Sequence, residues 1–69
     1  MTKSELANDM ARQNNNRRLI SRAAVMRYWG RSKAATKELL EGIPCDKTGR
    51  DHKYHVLDVA ERMVERMSI

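Results

Sequence analysis

The chain has 69 residues, room for one domain and a small core. Hydrophobic residues make up 41% of it, too many for plain disorder, and no apolar run approaches the roughly 20 residues that cross a membrane. Fourteen Lys and Arg against nine Asp and Glu give a formal charge of +5, which turns attention to anionic partners.

Thr2-x-x-Glu5 has the form of a capping box, and Leu6, Ala7, Met10 and Ala11 fall on one stripe, so Thr2 to Arg12 reads as a short helix. The stripe is thin, and Gln13-Asn14-Asn15-Asn16 breaks it with side chains that compete for backbone hydrogen bonds. Residues 1–16 therefore read as a weakly ordered arm or an appended short helix, and 17–69 as the domain proper. Ser21 is placed to cap a helix reaching about Trp29, with Ala24, Val25 and Tyr28 inward. Arg17 to Ile20 either extend that helix or lead into it. Gly30 is a stop signal, and Ser32 caps the next helix, Lys33 to Glu41, with Ala35, Leu39 and Leu40 facing the core. Gly42 ends that helix and Pro44 prevents its continuation. Two helices joined by so short a turn must cross steeply, as in a helix-turn-helix.

Beyond Pro44, polar residues around Thr48-Gly49 mark a hairpin turn between short flanks. In the last stretch Val56, Val59, Ala60, Met63, Val64 and Met67 recur at the spacing of one helix face, and Asp58 sits in its first turn. The charge is uneven along this order. Between Asp9 and Glu38 there is no acid, while Arg12, Arg17, Arg18, Arg22, Arg27, Arg31, Lys33 and Lys37 accumulate. Such a run suits a polyanion, because each base that neutralises a phosphate releases a condensed counterion; a solvated helical face is the alternative. Met1 is followed by polar residues and the single Cys45 has no disulfide partner within the chain, so a cytoplasmic location is expected.

The stretch "ISRAAVMRYWGRSKAATKELLEGIP" followed by "GRDHKYHVLDVAERM" resembles the small winged-helix family of phage and transposon excisionases. That family is related to the DNA-binding half of MerR-type regulators and to the N-terminal domain of some phage terminase small subunits. The shared pattern is a first helix ending in glycine and a Ser-started second helix ending in Gly-hydrophobic-Pro. A wing follows, then a basic-aromatic pair leading into a helix with an early Asp. Here these are Ala23 to Gly30, Ser32 to Pro44, Cys45 to His52, Lys53-Tyr54 and Asp58 onward. The interval from Gly30 to Gly42 is one residue shorter than in the usual pattern, and the asparagine-rich arm lies outside it.

The resemblance implies a mainly α fold with a small β-hairpin, a winged helix-turn-helix. It implies a second helix lying in the DNA major groove, with Ser32, Lys33, Ala34, Thr36 and Lys37 toward the bases. Arg50, His52 and Lys53 would belong to the wing and reach phosphate or the minor groove. Arg18, Arg22, Arg27, Arg31 and Lys47 would hold the DNA backbone. Trp29 and Tyr54 read as packing residues in a chain with only three aromatics, and Met63 and Met67 as core filler. Cys45, His52 and His55, with Asp46 or Asp51, lack the paired spacing of structural zinc, so no metal, cofactor or enzymatic role is expected.

The function expected on these grounds is sequence-specific binding and bending of double-stranded DNA, excisionase-like, with a recombinase partner and cooperative self-association. A small phage transcriptional regulator or a terminase small-subunit-like module would share the fold. A protein-interaction adaptor using the last helix is the reading from another class. Neither a membrane nor a small-molecule substrate is expected.

Overall fold

The computed structural model describes residues 2–47 and 52–67. It is mainly helical, with a small antiparallel sheet. In chain order the elements are α1 (Lys3–Gln13), β1 (Leu19–Ser21), α2 (Arg22–Trp29), α3 (Lys33–Leu40), β2 (Cys45–Asp46), β3 (Lys53–His55) and α4 (Val56–Met67). No described helix is long and apolar enough to cross a membrane.

The N-terminal segment is more than an arm. Thr2 and Glu5 close a reciprocal capping box: the Glu5 N–H donates to Thr2 Oγ1 at 3.2 Å and the Thr2 N–H to Glu5 Oε1 at 3.1 Å. The helix so started buries Leu6, Ala7, Met10 and Ala11, which join Val56, Val59, Ala60 and Met63 of α4 in one core. α1 packs chiefly on α4. The thin stripe suffices because Ala7, Ala11 and Ala60 put little bulk between the helices, allowing close approach. The asparagines then end α1. Asn14 Nδ2 donates to the Met10 carbonyl at 2.8 Å, and the Asn16 N–H to the Ala11 carbonyl at 2.7 Å. Asn15 and Asn16 both take φ of 60°, a region that asparagine enters more readily than most residues.

Leu19–Ser21 form a strand and do not extend the following helix. β1 pairs antiparallel with β3, Ile20 opposite Tyr54 and Ser21 opposite Lys53; β3 also pairs with β2, Cys45 opposite Tyr54. The sheet order is β1-β3-β2, one strand more than the expected hairpin. Ile20 and Tyr54 are buried, so the inner face of the sheet closes the core. Thr48-Gly49, where a turn was expected, lie outside the described residues.

Ser21 and Ser32 cap α2 and α3 as their sequence positions suggest, each Oγ accepting an N–H at 3.2 Å, from Ala24 and Ala35 respectively. Between the two helices Gly30 takes φ 68°, ψ 27° and donates its N–H to the Met26 carbonyl at 3.0 Å. A side chain there would be strained by the backbone alone. The far end of α3 is held from α4: Arg62 Nη1 donates to the carbonyls of Leu39 at 3.3 Å and Glu41 at 3.0 Å. A guanidinium thus satisfies acceptors that a helix C-terminus leaves open.

One groove-facing expectation is overturned here. Thr36 has no exposed surface and shares the buried side of α3 with Leu39 and Leu40. Its hydroxyl donates to the Ser32 carbonyl at 3.0 Å, which removes the cost of burying a polar group. Ala35, expected fully inward, is half-buried. The phase of α3 is therefore turned from the expected one, with Thr36 inside and Ala35 at the margin.

Candidate nucleic-acid interface

At about 100° per residue, burial of Thr36, Leu39 and Leu40 leaves the opposite side of α3 to Ala34, Lys37 and Glu38, with Lys33 at the edge of the buried stripe in the first turn. All four are exposed. Ala34 sits near the middle of this side, with Lys37 and then Lys33 to one flank and Glu38 to the other, so the helix presents a low surface with cations along one border. Ser32 is exposed at its N-terminus, its Oγ occupied as an acceptor by the cap.

α2 contributes in the same way. Ala24 and Val25 are buried and Tyr28 and Trp29 half-buried, which leaves Arg22 and Arg27 exposed on the outer side. Tyr28 fixes this orientation: its hydroxyl donates to Asp9 Oδ2 of α1 at 2.7 Å. Burial, and then the Asp9 carboxylate that accepts the bond and repels a phenolate, push the Tyr28 phenol up to about 12. Asp9 also takes Arg12 at 3.8 Å and Gln13 Nε2 at 3.4 Å. The acid that begins the acid-free run is thereby engaged on α1. Arg31, in the turn, lies 5.0 Å from the centroid of the Trp29 ring. Trp29 thus packs on the core with part of its surface and holds a cation with the rest.

Charge pairing divides the molecule. The ion pairs among the described residues are Lys3–Glu61 at 3.6 Å, Arg12–Asp9 at 3.8 Å, Arg62–Glu65 at 3.9 Å and Arg66–Glu38 at 4.0 Å. Each paired base belongs to α1 or α4. Among the described residues Arg17, Arg22, Arg27, Lys33 and Lys37 join none of these pairs. Among the described residues the unneutralised bases named here therefore fall on the turn after α1, on α2 and on α3, where they raise the local concentration of anions.

The other expected contacts are less alike. Arg18 is exposed, but its Nη1 donates to Asn8 Oδ1 at 3.1 Å, which ties the residue to α1. Lys47 is exposed just after β2, His52 is exposed before β3, and Lys53 is half-buried on β3. Arg50 lies outside the described residues. Cys45 is half-buried against the core, and His55 Nδ1 accepts the Leu57 N–H at 3.2 Å, capping the start of α4. Among the described residues no three His, Cys, Asp or Glu side chains are grouped to hold a metal ion.

Three residues near this surface were not singled out by sequence reasoning. Glu38 follows Lys37 on the exposed side of α3, and its distance of four positions from Ala34 was the available signal. Arg17 was counted in the charge run without a role, and Asn15 was read only as a helix breaker. Comparison with protein-family models, with curated proteins and with solved structures finds no match for this chain.

Proposed function

We infer that the chain is a double-stranded DNA-binding protein of winged helix-turn-helix type, with α3 as the helix that enters the major groove. The observation that carries this reading is the outer side of α3, where Lys33, Ala34 and Lys37 are exposed and the two lysines have no acidic partner among the described residues. Lysine can donate to guanine O6 and N7, and a small alanine leaves room for a thymine methyl. Arg22, Arg27 and Arg31 are exposed on α2 and the turn that follows it and suit backbone phosphates, which fix register without reading sequence. Lys47, His52 and Lys53 place further polar and basic groups beside the sheet.

An architectural, excisionase-like role on phage or mobile-element DNA follows from the resemblance in residues 20–67. The longest dimension of the fold is 36 Å, and one turn of duplex is about 34–36 Å. One chain therefore covers about a single turn. A longer site needs neighbouring protomers, whose linkage raises avidity without new contacts. Bending such a site costs on the order of 1–6 kcal/mol, offset by the phosphates that the curve brings to these bases. A recombinase is the partner such bending would serve.

The test is duplex binding over a range of salt. Wild-type affinity should fall steeply with salt, and Lys33→Ala with Lys37→Ala should weaken binding at least tenfold with an unchanged circular dichroism melt. Thr36→Val, which keeps the buried shape, should bind like wild type. A double variant that binds with wild-type affinity and salt slope would remove α3 from the interface. A wild-type chain that ignores duplex even at low salt would sink the DNA reading and favour an adaptor acting through α4.

A further inference from the structure

The asparagine run, left without a role above, borders a cleft that the α3 surface does not include. This open cleft, of about 390 Å³, lies where the turn after α1, the outer side of α2 and the outer face of the sheet meet. Arg17 comes from the turn, Arg27 from α2 and Lys53 from β3, with Asn14, Asn15 and Ser21 between them. Among the described residues no acidic side chain lines it. Three cations supplied by three separate elements thus line one concavity, which favours an anion there.

The turn that brings Arg17 there is held firmly. The Asn14 side chain is bound to the Met10 carbonyl, and the Arg17 N–H donates to the Asn14 carbonyl at 3.2 Å. Next along the chain, the Arg18 guanidinium is bonded to Asn8. Two successive non-glycine residues at φ of 60° are an unfavourable backbone state that the surrounding bonds maintain. Their effect is to turn the chain back at the end of α1, and Arg17 then lines the same cleft as Arg27 and Lys53. The Asn15 side chain is exposed at the rim, with an amide that can donate to an oxygen.

We propose that this cleft is a phosphate seat, in which Arg17, Arg27 and Lys53 with the Asn15 amide clasp one backbone phosphate of the DNA beside the strand segment held by α2. The proposal rests on the DNA-binding reading for the source of that phosphate. The chemistry of the seat itself, a tetrahedral oxyanion among convergent donors, does not depend on it. The contact carries no sequence information, so its loss lowers affinity alike for all duplexes.

The experiment compares wild type, Arg17→Ala and the Lys33/Lys37 double alanine variant on duplex DNA, with ethylation of single backbone phosphates as the locating probe. Arg17→Ala should lose affinity evenly across sequences, lower the salt slope by about one, and become indifferent to ethylation at one phosphate that matters to wild type. A variant that keeps the wild-type slope and ethylation pattern, while the double lysine variant is impaired, overturns the seat and leaves the function standing. If no form of the protein binds duplex, inorganic phosphate titrated into labelled protein decides the matter. Saturable shifts at the Asn15 side-chain amide that Arg17→Ala abolishes support the seat, and their absence overturns it.

Discussion

The pair α1–α4 and the pair α2–α3 are built from the same kind of amphipathic helix, yet they treat charge in opposite ways. On α1 and α4, Lys3, Arg12, Arg62 and Arg66 stand against acids, and Met10, Val56, Val59, Ala60 and Met63 are fully or almost fully buried. On α2 and α3 the exposed bases Arg22, Arg27, Lys33 and Lys37 pair with no acid among the described residues. Exposed ion pairs contribute only about 0–1 kcal/mol each, so those on α1 and α4 add little stability. Their larger consequence is electrostatic: neutralising one layer confines the positive potential to the other. The paired charges and the unpaired basic surface thus lie on different helices, which lets each be altered separately.

The most damaging way to probe that separation is Met10→Ala. Met10 is completely buried on α1, and its truncation should cost ~2–5 kcal/mol. For a chain of this size each kcal/mol lowers the melting midpoint by about 4–8 °C, so a thermal melt reads the effect easily. A loss below ~1 kcal/mol would mean that α1 is only appended to a fold that stands without it. Arg62→Met should act at an intermediate level, about 1–3 kcal/mol in a urea titration, because the carbonyls of Leu39 and Glu41 lose a charged donor. Glu65→Gln removes only the exposed partner of Arg62 and should change stability by less than ~1 kcal/mol. If the two variants are equally destabilised, the surface pair matters and the helix cap does not.

What the sequence revealed, and what it hid, follows from the range of each interaction. Thr2 with Glu5, Ser21, Gly30 and Ser32 act within three or four residues, so the ends of α1, α2 and α3 could be read locally. β1 could not. Leu19–Ser21 is too short to show an alternating pattern, and its strand character comes from a partner more than thirty residues away. The integration of α1 into the core was hidden for the same reason, since a stripe of two alanines looks weak until α4 lies against it. Thr36 was misplaced because a threonine at the edge of an apolar stripe fits either side of a helix. The bond from its hydroxyl to the Ser32 carbonyl permits the inner side. The bases of the candidate surface were legible as an acid-free run. That Lys3 meets Glu61 and Arg66 meets Glu38, while Arg27 pairs with no acid among the described residues, depends on which helices meet, and no count along the chain contains that.

A small effect is also expected from one of the bonds that join the two halves of the comparison, Tyr28 on α2 to Asp9 on α1. Tyr28→Phe removes a hydrogen bond to a carboxylate at a half-buried site and should cost ~1 kcal/mol at neutral pH. The pH dependence identifies the contact. The phenol ionises at about 12 in the folded chain against an ordinary value of 10.0, so the folded state holds its proton more tightly than the unfolded state does. The stability this supplies is complete below pH 10 and is lost as the pH rises from about 10 through about 12. The stability difference between wild type and Tyr28→Phe should therefore shrink over that interval and be constant below it. Asp9→Asn, which keeps an acceptor but removes the charge, should bring the ultraviolet titration of Tyr28 back toward its ordinary value. A difference between wild type and Tyr28→Phe that does not change up to pH 12 would detach Tyr28 from Asp9, and α2 would then be oriented by Ala24 and Val25 alone.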